Sequence, residues 1–291
     1  MTIRIILFTM LPILCIAQVS PKEDILSNNN PSIERENMAT KRNAMYNLEE
    51  IKVRWKKAAL ENCTGVPCVV APSFTCGTST VSDFDGNAYN TVAIGAQCWT
   101  KENLKVTKYN DGTLIGDSTN STWGTVGAAL IGARTEYVSM FVPSSGYVGT
   151  YGYLYNWYAA TDPRKLCPTG WHVPKDAEWT TMIQQLDNTA STSTDIESTK
   201  AGGKMKSNSS LFLSPNIDAD NSSGFSALPG GWRTTSSFYA IKNNAFFWSA
   251  TESSNTYTAW NRELQRTNAT VERKHNNGQK STGASIRCLR D

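Results

Sequence analysis

Polar and apolar positions change period several times along the chain. Residues 5–14, IILFTMLPIL, are almost unbroken apolar, yet far shorter than the ~20 residues that cross a bilayer. Between residues 32 and 62, Met38, Met45, Leu48, Ile51 and Trp55 share one helical stripe among lysines, arginines and glutamates, which predicts an amphipathic helix. Two β-prone runs then flank Asp85-Gly86, a pair suited to a type I′ hairpin turn. Tyr151, Tyr153, Tyr155 and Trp157 alternate, which predicts a strand with a covered aromatic face. Trp179, Met182, Ile183 and Leu186 recur at three and four, so a helix is expected from Pro174, with Asp176 and Glu178 favouring its first turn. Residues 188–199 and 216–224 read as polar loops, and 224–233 as a turn-rich run into a strand. Residues 245–251, AFFWSAT, read as a buried strand, and so does ASIRCL at 284–289. Between them, a strand over 269–274 would place Ala269 and Val271 on a packed face and Thr270, Glu272 and Lys274 on a solvated one.

This pattern divides the chain. Arg4, the apolar run, and Cys15 and Ala17 at small-residue positions have the form of a signal peptide over residues 1–17, cut before Gln18. A lipid anchor on Cys15 is the rival reading, and Leu14 is a poor small-residue match for it. Residues 18–62 form a polar segment and the amphipathic helix, 63–75 a cysteine-stapled linker, and 76–291 the main domain. The helix packs on its own domain or joins copies of the chain; self-association through residues 32–62 is the assembly alternative. No other segment could span a membrane.

The 291 residues carry a net charge of +3, or +2 without Arg4. That balance, with no basic stripe interleaved with aromatics, argues against nucleic acid. Six cysteines remain after cleavage: Cys63, Cys68, Cys76, Cys98, Cys167 and Cys288. An even number in an exported chain implies disulfides, and fifteen pairings are possible. We expect Cys63–Cys68 within CTGVPC, Cys76–Cys98 across the hairpin, and Cys167–Cys288 joining the middle to the end. Structural zinc is disfavoured by the absence of a CxxC pair and by only two histidines.

Candidate chemistry is sparse. Asp83, Asp85 and Asn87 resemble the start of a calcium loop, but no glutamate follows at the twelfth position, so a turn is expected. Asn216, Asp218 and Asp220 are the better calcium candidates, with an Asx-type turn as the plain alternative. No other cofactor is expected. His172 and Glu178 form a conceivable acid–base pair, with no nucleophile beside them. A polysaccharide-acting enzyme would need two facing carboxylates, and Glu102, Asp176, Glu178 and Glu252 all have capping or edge readings.

Seven blocks occur in order: DGNAYNTVAIGAQCWTKENLKVTKYNDGT, YGYLYNWYAAT, LCPTGWHVPKDAEWTTMI, AGGKMK, GFSALPGGWR, FFWSATE and IRCLRD. Over about residues 76–291 they resemble the Fibrobacter succinogenes major paralogous domain, a family placed with the C-type-lectin-like and formylglycine-generating-enzyme-like folds. The resemblance implies an α+β domain: a twisted antiparallel sheet, one or two helices and long loops, here preceded by the N-terminal helix. It also implies an exported protein, secreted or at the surface or in the periplasm of a Gram-negative bacterium. Formylglycine enzymes use a C-terminal cysteine pair, and here only Cys288 lies near that end. The EPN or QPD and WND motifs of calcium-dependent lectins are absent; Trp260-Asn261-Arg262 keeps only two letters of the last. Some members of this family are targets of diversity-generating retroelements, which randomise asparagine-rich codons between fixed framework residues. FFWSATE, AWNR and RCLRD are intact here, and the stretch between them has become ELQRTNATVERKHNNGQKSTG.

The expectation is a non-catalytic binding module for a protein or glycan. Its contact face would be built from Tyr257, Asn261, Glu263, Gln265, Arg266, Asn268, Thr270, Glu272, Lys274 and His275, adaptable side chains on a rigid scaffold.

Overall fold

The computed structural model describes residues 73–118, 121–138, 146–192, 195–275 and 278–291. The signal peptide, the helix at 32–62 and the Cys63–Cys68 bridge lie outside them. Strands β1 (Thr80–Ser82) and β2 (Ala88–Ile94) form the expected hairpin, but the expected type I′ turn is corrected to a five-residue loop in which the Gly86 amide donates to the Asp83 carbonyl (3.0 Å) and only Gly86, not Asp85, has positive φ. Asp83 organises its turn: one carboxylate oxygen accepts from the amides of Asp85 (3.0 Å) and Asn87 (2.9 Å), and the other from the Tyr89 hydroxyl (2.6 Å). β3 (Gln97–Thr100) returns beside β2.

The next stretch breaks into short pieces: β4 (Gly116–Asp117), α1 (Trp123–Ala128), β5 (Ala133–Thr135), α2 (Tyr147–Tyr151), β6 (Leu154–Tyr155) and α3 (Trp157–Ala160). The continuous strand expected over 151–157 is therefore corrected to two residues between two helices. Gly152 turns the chain with φ +74°, where a Cβ would meet the Leu104 carbonyl at 2.6 Å. Asn156 then caps α3, accepting from the Ala159 amide at 3.0 Å. The aromatics do pack: Tyr151 and Tyr155 are buried.

Beyond lie β7 (Trp171–His172), α4 (Asp176–Leu186), β8 (Asp195–Ser198) and α5 (Ala201–Met205). Trp179, Met182 and Ile183 of α4 are fully buried, as their spacing requires. The loop expected at 188–199 contains β8 at its end. β9 (Trp232–Arg233) and β10 (Phe238–Tyr239) pair locally. The C-terminal part is β11 (Asn244–Glu252), β12 (Ala259–Gln265), β13 (Val271–Lys274) and β14 (Leu289–Arg290).

Three larger sheets result. One runs β1-β2-β3-β14-β7, one β4-β5-β6, and one β11-β12-β13-β8; β4 and β5 are parallel and the other pairs antiparallel. The domain is thus a mixed α+β fold with mostly antiparallel sheets and few helices. Of the closing segment only Leu289–Arg290 is regular strand, but residues 284–289 are all buried. The core joins the sheets through Trp99, Trp179, Phe225, Phe247, Leu264 and Val271. Trp99 and Trp179 lie 4.8 Å apart, and Trp179 stacks on Phe247 at 5.6 Å, arrangements that add to their area burial. Disulfides join Cys76 to Cys98 and Cys167 to Cys288, the pairs expected, and suit an oxidising compartment. Among the described residues no helix is long and apolar enough to cross a membrane.

Candidate ligand-binding face

The four-stranded sheet has one face against α4; its other face is covered over β11 and most of β12, where Phe246, Trp248, Asn261 and Glu263 are buried, and opens outward at Gln265, β13 and β8. β12 is its second strand, and the two faces follow from alternation. Arg262 and Leu264 point toward α4; Asn261, Glu263 and Gln265 point outward. Register then fixes the outward neighbours. Asn261 lies opposite Trp248 on β11 and Lys274 on β13, Glu263 opposite Phe246 and Glu272, and Gln265 opposite Asn244. Ile196 of β8 sits opposite Glu272 and is 49% exposed.

A polar network runs across this outer face. The Asn244 side-chain amide donates to one oxygen of Glu263 (2.5 Å), and the Lys274 ammonium donates to the other (3.2 Å). Lys274 also pairs with Glu272, and the Gln265 amide donates to Glu272 (3.2 Å). Burial works against the Lys274 charge, but Glu272 and Glu263 outweigh it and hold its pKa above the usual lysine value. Over β11 the face is closed by aromatics: Trp232 stacks on Phe246 (6.0 Å) and Tyr239 on Trp232 (4.9 Å).

The helix side is ionic at its centre. Arg262 is fully buried and donates to Glu197 (2.5 Å) and Asp176 (2.7 Å). Arg273 donates to Asp176 (2.6 Å) and lies over the Trp260 ring at 3.6 Å. Burial raises the Asp176 pKa, but Arg273 and Arg262 outweigh it and leave it below the ordinary carboxylate value.

The ten expected contact residues therefore separate. Gln265, Glu272 and Lys274 lie partly exposed on the outer face, the Lys274 and Glu272 side chains at 22% and 16%. Asn261 and Glu263 point the same way but are buried, which corrects the expectation that they meet solvent. Glu263 is covered by Lys274 and Asn244. Asn261 lies beneath Gly278, where a Cβ would stand 2.7 Å from its amide nitrogen. His275 is corrected as well: it packs edge-on against Trp260 (4.7 Å), on the helix side. Arg266, Asn268 and Thr270 belong to the β12–β13 turn. Arg266 donates to Asn243 (2.6 Å), and Asn268 accepts from the Thr270 amide (3.0 Å) and hydroxyl (2.6 Å). Tyr257 stands at the opposite end of β12, about 20 Å away at 3.3 Å per strand residue, and is 79% exposed.

The calcium candidates hold turns. The Asn216 amide donates to the Ser207 carbonyl (3.0 Å), Asp220 accepts from the Ser222 amide (2.8 Å), and Asn216 and Asp218 adopt φ of +36° and +56°. Among the described residues no three His, Cys, Asp or Glu side chains gather into a metal-binding group.

A family model described as the Fibrobacter succinogenes major domain matches residues 92–290, well over half of the chain. The chain belongs to this family. No curated protein and no solved structure matches it. The Fibrobacter succinogenes major domain of this chain contains both faces of the four-stranded sheet. It also contains a contact between His172 and Glu178: the ring Nε2 lies 3.0 Å from Glu178, and Nδ1 lies 2.6 Å from Asp291. Glu178 has a second role, accepting from the Lys175 amide at 2.7 Å and so capping α4. The sequence reading missed Asn244, Ile196 and Glu197. The one available signal was the charged Arg262 between the outward Asn261 and Glu263, since a cation placed on the core side needs buried carboxylates.

Proposed function

We propose that this chain is an exported, non-catalytic binding module. Its partner is a protein that docks on the outer face of the four-stranded sheet, around Ile196, Gln265, Glu272 and Lys274. One observation carries the reading: these side chains stand in register on a sheet whose other face is core, so they sit on a rigid platform. An apolar spot at Ile196 beside a mixed-charge stripe gives such a contact both burial and orientation. The finer fold assignment, C-type-lectin-like, belongs to the same proposal. It is supported by the first strands and the last strand sharing one sheet while long loops and a second sheet lie between them.

The test is a protein array probed with the full chain and with a triple variant, Ile196→Ala, Gln265→Ala and Glu272→Ala. Specific wild-type hits should weaken at least about tenfold in the variant at nearly unchanged thermal stability. Hits indifferent to the triple change would refute the face. Retroelement diversification is a separate question for the DNA. It requires a neighbouring reverse-transcriptase gene and an asparagine-rich template copy, and fails without them.

A further inference from the structure

The turn between β11 and β12 spends nearly all its polar groups on itself. The Ser253 amide donates to the Thr258 carbonyl (3.0 Å), and the Thr258 amide to the Asn255 carbonyl (2.9 Å). The Asn255 amide donates to the Ser253 hydroxyl (3.0 Å), and the Tyr257 amide to the Asn255 side chain (3.0 Å). The Lys280 amide clamps the Tyr257 carbonyl at 3.0 Å. A turn this constrained still leaves its one large side chain, Tyr257, in water.

That ring borders a groove of about 640 Å³, the size of an ordinary ligand cleft. Gly124 and Ala128 of α1 give a flat, apolar wall, and Tyr158 supplies a second aromatic ring. Leu130 adds to the rim; it is 65% exposed and held at φ +58°, a conformation branched side chains rarely keep without cause. Asn255 and Gln279 bring planar amides to the same rim. The walls are fixed, because the Trp123 indole donates to the Ser281 carbonyl at 2.7 Å. Among the described residues that line the groove the one cation, Lys280, is buried and already paired with Glu252 at 3.0 Å, so none of them offers a free charge to an anion.

We infer that this groove binds a neutral oligosaccharide, with Tyr257 and Tyr158 against the apolar faces of sugar rings and Asn255 and Gln279 to the hydroxyls. Two aromatic rings suit C–H-rich sugar faces, amides suit hydroxyls as donors and acceptors, and charge neutrality disfavours acidic glycans. The site lies beyond the start of β12, at the far end of that strand from Gln265, and is independent of the protein-binding reading.

The test is titration of the full chain with cellohexaose, xylohexaose and mannohexaose, and with polygalacturonate as the acidic control. At least one neutral sugar should bind and polygalacturonate should not. Tyr257→Ala should weaken binding about tenfold, the share expected of one stacked ring, while Tyr257→Phe retains it. Glu272→Ala, on the other face, should leave it unchanged. Failure of all three neutral sugars to bind the folded chain would overturn the inference. So would binding that Tyr257→Ala leaves intact, or a preference for polygalacturonate.

Discussion

Arg262 has no contact with water, so its charge is matched within the protein by Glu197 and Asp176. Arg262→Ala strands Glu197, itself 1% exposed, and should destabilise the chain by about 3–5 kcal/mol in urea unfolding. Arg262→Met combined with Glu197→Gln should recover part of that loss, because no buried charge is left alone. Asp187 makes the pH-dependent prediction. Hydrogen bonds from Thr189 and Ser198 hold its pKa at about 2, against an ordinary 3.8. A lowered carboxylate contributes stability that is complete above 3.8 and is lost as pH falls through about 2. Urea midpoints at pH 5 and pH 2 should therefore fall further for wild type than for Asp187→Asn, by about 1 kcal/mol. Equal falls would assign the acid sensitivity to other carboxylates. At this scale the sequence was informative about direction and silent about cover. Alternation over 269–274 correctly set Val271 inward with Glu272 and Lys274 on the other face, and the expected contacts Asn261, Glu263 and Gln265 share that face. What buries Asn261 and Glu263 is Gly278 and the β11 and β13 side chains, and no local pattern encodes a neighbour that arrives from another segment.

The short helix α5 carries two glycines in AGGKM, although glycine costs about 1 kcal/mol relative to alanine inside a helix. The reason is how closely it docks. A Cβ at Gly202 would stand 2.2 Å from the Thr270 carbonyl oxygen, and one at Gly203 2.5 Å from that of Asp218. Both obstacles are backbone, which cannot swing away as a side chain does. Gly202→Ala should therefore destabilise by roughly 1–3 kcal/mol despite the gain in helix propensity, seen as a lower urea midpoint. A neutral or stabilising result would mean the β12–β13 turn is free to move off α5. α4 was legible from its helical period and β11 from its unbroken apolar run, which is buried on both faces from Ala245 to Ser249. β8 was not. Asp195 to Ser198 lacks strand-like alternation and is strand because β13 lies beside it and Arg262 draws in Glu197. The 151–157 stretch shows the converse: true alternation was overruled by one glycine turn and one asparagine cap.

Across the whole molecule, the Cys167–Cys288 bridge ties the start of β7 and α4 to the closing segment, over a separation of 121 residues. The Cys76–Cys98 bridge spans 22. In the chain-entropy account stabilisation grows only with the logarithm of loop length, so the long bridge is worth about 4–5 kcal/mol and the short one about 3. Both cysteines of the long bridge are also buried beside structure that depends on their placement. The Cys288 carbonyl accepts from the Thr100 amide (3.0 Å), and the next residue on each side, Arg287 and Leu289, is buried. Arg287 has its guanidinium spent on Asn103 and on the carbonyls of Thr100, Phe225 and Ser226. Replacing Cys167 and Cys288 with serine should therefore cost more than entropy alone and lower the melting temperature by roughly 10–20 °C, at 2–4 °C per kcal/mol for a domain of this size. The Cys76→Ser, Cys98→Ser pair should lower it by clearly less, in the same calorimetric scan. Equal losses would assign the stabilisation to local strand packing. A larger loss at the short bridge would make the first hairpin, not the closure of β14 between β3 and β7, the contact on which the domain depends.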